Sequence, residues 1–189
     1  MTAIFGISGE KFSGKDTVAN AIVARYARDG KPAQLIRFAE PLKQSLCTLF
    51  GWDRAQLESH EFKETPEPIT GKTPRYIMQA MGTEFGRNLL HDEIWIRLAA
   101  AQVKRCIDAG IVPILSDVRF ENEAAMVRSM GGTVVHVINP TNVVRTDAHA
   151  SENGVAQQIN DHRFINDKTM GMVPVYQYVD GLVGALKGD

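Results

Sequence analysis

A glycine-rich loop between an apolar run and a helical pattern limits what this chain can fold into more than any other feature. The apolar run covers residues 3–8, and the loop over residues 9–16 reads GEKFSGKD. After the loop, apolar side chains recur at helical spacing, at Val18, Ile22, Val23 and Tyr26. This order predicts a strand, a tight loop and a helix, the opening of an alternating α/β fold.

The loop fits the phosphate-binding pattern of a glycine, four residues, a second glycine and a lysine. Its backbone N–H groups would converge on phosphate oxygens, and Lys15 would neutralise charge on β- and γ-phosphates. The alternative is a turn that only joins a strand to a helix. The candidate phosphate-binding residues are Gly9, Lys11, Ser13, Gly14, Lys15, Asp16 and Thr17.

Asp16 stands where this pattern usually has serine or threonine. A carboxylate beside phosphates repels them unless Mg²⁺ or Lys15 compensates. Thr17 could offer the missing hydroxyl to Mg²⁺, or it could simply form a hydrogen bond in the first helical turn. Asp16 could instead organise water bound to the metal. The magnesium candidates are therefore Asp16 and Thr17, together with Asp117 at the end of a later predicted strand.

The rest of the chain alternates apolar runs with helical patterns. Strands are predicted over residues 33–38, 111–115, 133–138 and 163–165. Helices are predicted from Leu42 to about Gly51, over residues 122–130 and over residues 173–186. Such alternation is typical of a parallel sheet with right-handed crossovers.

Residues 52–74 interrupt the alternation with prolines, a glycine and many charges, and we predict a long irregular connection there. Helical patterns follow over residues 74–90 and 92–109. We therefore expect a single domain over residues 1–189, with a core formed by residues 1–51 and 111–189. Residues 52–110 would form an insertion.

Composition excludes several classes of protein. With 189 residues and 44% hydrophobic content, the chain can bury one substantial core. The 21 basic and 22 acidic residues leave no excess charge for a nucleic-acid polymer or a membrane surface. Two cysteines without a disulfide framework, no apolar span and no signal-peptide pattern indicate a soluble, cytoplasmic protein.

Asp117 lies where the third predicted strand meets a loop, the edge at which α/β sheets bind ligands, and Arg119 follows. The alternative is that Asp117 caps a helix and Arg119 is solvated. Arg75, Arg87 and Arg145 lie in regions that interrupt the βα pattern and could hold a second phosphate, although each could be an ordinary surface side chain. Arg97 matches one face of a predicted helix, so we interpret it as an ordinary surface side chain.

A hydrolase is disfavoured, although His149, Ser151 and Glu152 invite comparison with a catalytic triad. They are adjacent in sequence, and no nucleophile elbow or oxyanion-type glycine motif surrounds them. We interpret them as hydrogen-bonding residues of a lid-like segment at about residues 139–160.

Several segments in order resemble the phage deoxynucleoside monophosphate kinases over nearly the whole chain. GEKFSGKDTVA resembles that family's phosphate loop, including the aspartate after the lysine, and DVRFENEA at residues 117–124 is also specific. The weaker matches are FAEPLK at residues 38–43, TPRYIMQAMGTEFGR at 73–87, Gly131 with Gly132, HASE at 149–152 and IND at 165–167.

The resemblance implies a P-loop NTPase fold, a three-layer αβα architecture with a five-stranded parallel sheet, a helical monophosphate-binding insertion and a lid. It also implies ATP as phosphoryl donor, Mg²⁺ as cofactor, deoxynucleoside monophosphates as acceptors, a homodimer and, for a phage protein, the host cytoplasm. Asp117 and Arg119 would lie between the two nucleotides, Lys15 would bind ATP and Arg145 would belong to the lid. The acceptor residues would be Phe38, Lys43, Arg75, Gln79 and Arg87.

Two other functions stay open on the sequence. A related P-loop kinase acting on dephospho-coenzyme A would have a similar ATP half. A GTP-dependent switch or nucleotide sensor is disfavoured because the DVRF segment lacks the switch glycine and no guanine-reading NKxD element is present. The sequence does not indicate which bases are accepted.

Overall fold

A five-stranded, fully parallel sheet organises the chain in the computed structural model, which describes residues 2–141 and 155–186. The sheet order is β2-β3-β1-β4-β5. The predicted sheet and its three-layer α/β architecture are confirmed. The strands are β1 (Phe5–Ser8), β2 (Ala33–Ile36), β3 (Val112–Val118), β4 (Thr133–Ile138) and β5 (His162–Ile165).

Helices follow β1, β2, β3 and β5, several further helices lie between α2 and β3, and the described residues between β4 and β5 contain no helix. They are α1 (Lys15–Arg28), α2 (Glu40–Phe50), α3 (His60–Glu64), α4 (Pro74–Ala80), α5 (Ile94–Asp108), α6 (Glu121–Ser129) and α7 (Val173–Ala185). Short 3₁₀ turns cover Gln56–Glu58 and Lys168–Met170, and a π-helix covers Met81–Leu90. None of the helices in the described ranges is long and apolar enough to cross a membrane.

The chain divides into two compact units. The first consists of Met1–Arg37 and Ala100–Asp189, and the second is Phe38–Ala99. The second unit thus begins earlier than the insertion predicted at residues 52–110, because it includes α2, and it ends within α5.

The core of the first unit shows why the strands form where they do. Successive side chains of a strand point to opposite faces of a sheet, so alternate residues share one face. On one face of this sheet, alternate apolar residues of β1, β3 and β4 pack with α1 and α7 in one buried apolar cluster. The strand residues of this cluster are Phe5, Ile7, Val112, Ile114, Val135, Val137 and Phe164.

Two secondary-structure predictions for the second unit were wrong in part. Residues 52–74 are not a wholly irregular connection, because they contain the 3₁₀ turn and α3, whose first turn is capped by Ser59 Oγ accepting from the Phe62 N–H at 3.3 Å. The helix predicted over residues 74–90 is α-helical only to Ala80 and continues as a π-helix. There the Gly82 carbonyl accepts a hydrogen bond from the Trp95 indole at 2.8 Å, a contact between distant residues that local periodicity does not encode.

A buried carboxylate ties the chain ahead of β5 to α6 and β4. The side chain of Asp161 is 2% exposed and accepts from Arg128 Nη2 at 2.7 Å, from the Gln158 N–H at 2.8 Å and from His136 Nε2 at 2.9 Å. Arg128 also pairs with Glu121 at 2.7 Å. Burial raises the pKa of Asp161, but the hydrogen bonds from Arg128, Gln158 and His136 outweigh burial and lower that pKa to about 2.

We expect Asp161→Asn to lower the free energy of unfolding at pH 7 by about 2 to 3 kcal/mol, because it removes the buried charged partner of Arg128 and leaves this guanidinium only the half-exposed Glu121. The folded pKa lies below the ordinary value, so the carboxylate stabilises the fold above about pH 4, and this contribution disappears as the pH falls toward 2. The free energies of unfolding of the unsubstituted protein and of Asp161→Asn, measured with urea, should therefore differ about half as much at pH 3 as at pH 7. The exposed Asp108→Asn is the control, and a pH-independent difference would contradict the prediction.

Candidate active site

The glycine-rich loop has a backbone that only glycine allows at two positions. It joins β1 to α1, with φ of +146° at Gly9 and +99° at Gly14. A Cβ atom on Gly9 would lie 2.2 Å from the Val137 carbonyl oxygen, and one on Gly14 would lie 2.1 Å from Asn166 Nδ2. Neither glycine can therefore be replaced without moving the loop or its neighbours.

Lys15 folds back along the loop at the start of α1. Its Nζ donates to the carbonyl oxygens of Gly9 at 2.7 Å and Glu10 at 2.6 Å. Burial and then the positive charge of Arg119 lower the pKa of Lys15, against the opposing charges of Asp16 and Asp117. Because burial is the larger cause, a phosphate bound beside the Lys15 ammonium would stabilise its charged form.

Asp117 and Arg119 lie close to the loop because of the strand register. Ser8, at the end of β1, pairs with Val118 of β3. The N–H groups of Arg119 and Phe120 both donate to the carboxylate of Glu123, at 2.8 and 3.2 Å. This fixes the turn between β3 and α6, with Arg119 exposed beside the loop lysine.

Arg37, which belongs to no motif recognised in the sequence, also lies at this edge of the sheet. Directly after β2, its Nη2 lies 3.4 Å from Asp16 Oδ1, and its Nε donates to Ser116 Oγ at 3.3 Å. Arg37 therefore offsets the charge of the unusual loop carboxylate. The rule applied to Asp117, that the carboxyl ends of parallel strands hold the ligand-binding residues, would have identified it.

The loop residues fit a phosphate ligand. Ser13 is 1% exposed, and its Oγ has no hydrogen-bond partner among the described residues. Buried hydroxyls are nearly always paired, so this one is suited to a ligand oxygen. Together with the close backbone approach at Gly9 and Gly14, Ser13 gives the loop a set of donors that would suit the phosphates of a nucleotide.

Magnesium would need ligands from a nucleotide as well as from the protein. Within residues 2–141 and 155–186 there is no group of three or more carboxylate, histidine or cysteine side chains that could hold a metal ion. Asp16 is mostly exposed, and Thr17 and Asp117 are half-buried. One or two such oxygens with phosphate oxygens suit Mg²⁺, which keeps several waters in kinase sites.

The predicted acceptor residues all belong to the second unit. Arg75 and Gln79 are exposed on α4 at a spacing of four, so they lie on one helical face, and Arg87 is exposed on the π-helix. Arg75 pairs with Glu64, and Lys43 Nζ lies 3.0 Å from Glu58. Phe38 is buried. The predicted lid residue Arg145, with His149, Ser151 and Glu152, lies outside the described residues.

Solved structures that share this fold include a kinase. The APS kinase of Mycobacterium tuberculosis in complex with AMPPNP and APS matches with a TM-score of 0.55 over 98% of both chains, at 12% identity. That likeness shows the fold. A parallel αβα sheet with a Gly-x₄-Gly-Lys loop between its first strand and helix defines the class: the chain is a P-loop kinase.

The family is shown by sequence comparison. The family model for deoxynucleotide monophosphate kinase matches residues 70–174. The chain belongs to the deoxynucleotide monophosphate kinase family, which confirms the resemblance noted in the sequence. A putative deoxynucleotide monophosphate kinase of Acanthamoeba polyphaga mimivirus is 31% identical, with 79% of this chain and 80% of that protein covered. The deoxynucleotide monophosphate kinase of Enterobacteria phage T4 is 31% identical, with 90% and 94% covered.

Proposed function

We propose that this chain transfers the γ-phosphoryl group of ATP to a deoxynucleoside monophosphate, giving a deoxynucleoside diphosphate and ADP. The observation that carries the proposal is the position of Lys15, which lies in a glycine-built loop at the end of β1 beside Asp117 and Arg119 at the end of β3. Membership of the deoxynucleotide monophosphate kinase family supports the choice of acceptor.

In this reaction the protein contributes position and charge more than covalent chemistry. Lys15 and the loop amides bind the phosphates of ATP, and Arg119 stabilises the negative charge that develops during transfer. Arg37 lies on the same edge and adds a second guanidinium. When bound, Mg²⁺ supplies further charge neutralisation, with Asp16, Thr17 and Asp117 as the residues that would hold it directly or through water.

For the acceptor, we assign the phosphate to Arg75 and Arg87 and place Gln79, Phe38 and Lys43 around the nucleoside. A guanidinium binds phosphate through two parallel hydrogen bonds, which suits a group that must be held in line for attack. The exposed face of α4 supports this assignment, since it leaves Arg75 and Gln79 accessible.

Residues 52–110 would act as the monophosphate-binding insertion, with residues 139–160 and Arg145 as the lid. A homodimer in the cytoplasm completes the proposal.

Release of ADP from ATP with a panel of ribo- and deoxynucleoside monophosphates tests the function directly. We expect ADP formation that depends on a deoxynucleoside monophosphate and on Mg²⁺. Turnover with dephospho-coenzyme A alone would assign the chain to a different kinase activity. Tight nucleotide binding with slow hydrolysis and no acceptor dependence would indicate a sensor.

Asp16→Ser is expected to keep Mg²⁺-dependent turnover within roughly tenfold of that of the unsubstituted protein, because a hydroxyl is the ligand that phosphate loops usually offer and one polar contact is exchanged for another. Arg37 loses its pairing with Asp16 but retains Ser116. The measurement is kcat as a function of Mg²⁺ concentration, with Asp16→Asn as the variant that keeps the shape and removes the charge. Complete loss in both variants would mean that the carboxylate charge itself is required.

A further inference from the structure

Asn166 links the end of the sheet's edge strand to the phosphate loop. It follows β5 directly and is 5% exposed. Its side-chain Nδ2 donates to the Ser13 carbonyl at 2.8 Å, across 153 residues of sequence, while its own N–H donates to the Ile138 carbonyl at 2.7 Å. Because β4 lies between β1 and β5, this amide reaches from the edge of the sheet to the loop at its centre.

The contact fixes the direction of one peptide group in the loop. In a trans peptide the C=O and the following N–H point in opposite directions. With the Ser13 carbonyl held by Asn166, the Gly14 N–H points away from β5. That N–H stands at the start of α1, where free backbone donors bind anions.

The glycine at position 14 is explained by the same contact. A Cβ there would lie 2.1 Å from Asn166 Nδ2, so the asparagine occupies the space that any other residue would need. The loop and the segment after β5 are therefore built around each other. A purely apolar packing residue at position 166 would leave the Ser13 carbonyl without this donor, a cost that buried carbonyl groups normally avoid.

We infer that Asn166 is a positioning residue for ATP: it holds the Ser13–Gly14 peptide so that the Gly14 amide is oriented for a phosphate before the nucleotide arrives. This inference rests on the proposed function for the identity of the nucleotide. It assigns to the end of β5 a part in binding the phosphates, separate from Lys15, which acts by charge.

The test compares ligands with and without phosphates. Asn166→Ala should raise the Kd for ATP about tenfold, as expected for one lost hydrogen bond to a charged ligand, and leave the Kd for adenosine unchanged. The KM for the acceptor should not move. Calorimetric titration measures both dissociation constants without requiring turnover, and Asn20→Ala, an exposed asparagine of α1, is the matched control.

Asn166→Asp gives a signature that a merely structural role would not produce. Its ionised carboxylate cannot donate to the Ser13 carbonyl, whereas the protonated form can. Burial at this position and the negative charge of the bound phosphates would raise the pKa of the introduced carboxyl above the ordinary value of about 3.9. Relative to the unsubstituted protein at each pH, ATP affinity of this variant should therefore recover as the pH is lowered toward that raised pKa. For Asn166→Ala, the Kd for ATP divided by that of the unsubstituted protein should stay constant over the same pH range.

The inference is overturned if Asn166→Ala binds ATP as tightly as the unsubstituted protein, or if ATP and adenosine affinity fall equally. Melting curves by circular dichroism identify any unfolded variant, and because the Asp substitution preserves shape, it supplies the test if the alanine variant does not fold. Failure of the proposed function would look different. In that case the unsubstituted protein would bind ATP without forming a diphosphate from any monophosphate.

Discussion

Lys15→Ala should lower kcat by a hundredfold or more while leaving the protein folded. The Lys15 ammonium lies beside Arg119, Asp16 and Asp117 at the point where the β- and γ-phosphates would bind. Charge placed where the transition state becomes more negative typically contributes a factor of about 10² to 10³ to turnover. Because transfer depends on such charge and not on a covalent intermediate, the loss should be in kcat more than in the KM for the acceptor.

Stability should change little in the same variant. Lys15 donates to the carbonyls of Gly9 and Glu10 and does not belong to the buried apolar cluster, so its removal should cost about 1 to 3 kcal/mol. Steady-state kinetics and thermal unfolding by circular dichroism measure the two effects separately, and the exposed Lys31→Ala serves as control. Near-normal turnover in a folded Lys15→Ala protein would remove the phosphate loop from the mechanism.

Arg75→Ala and Arg87→Ala should each weaken binding of the monophosphate by roughly ten- to a hundredfold and leave ATP affinity nearly unchanged. One contact between a guanidinium and a phosphate is worth about 1.5 to 3 kcal/mol. Both side chains are exposed in the second unit, while the loop that would bind ATP is in the first. Separate titrations with ATP and with the preferred deoxynucleoside monophosphate measure the two affinities.

The structure supplies controls for this pair of arginines. Glu64→Gln removes the charged partner of Arg75 without touching the guanidinium, and it should leave acceptor affinity intact or improve it. Arg97→Ala removes an exposed arginine of α5 that pairs only loosely with Glu93, at 3.8 Å, and should change neither affinity. Lysine at position 75 or 87 should restore part of the loss, since it keeps the charge but not the two-donor fork. An equal fall in ATP and acceptor affinity would show that the assignment is wrong.

Local signals were sufficient for the elements near the phosphate loop. The apolar run, the two glycines and the helical spacing of Val18 and Ile22 predicted β1, the loop and α1 within a few residues, because each follows from short-range sterics and burial on one face. The second unit was predicted less well. Its π-helix at Met81–Leu90 includes a carbonyl that bonds Trp95, which lies beyond the helix in sequence.

The sequence by itself determined the family, through its motifs, and it supplied the candidate site residues: a lysine in a glycine-rich loop, and a carboxylate and an arginine after a buried strand. These depend on residue type and short spacing, which one sequence contains. Only the tertiary structure decided which distant residues meet the loop. Arg37 reaches Asp16, and Asn166 reaches Ser13, because parallel strands bring their carboxyl ends to one edge whatever their separation in sequence. Strand order and register, which set those contacts, arise from packing of the whole core and not from any single segment.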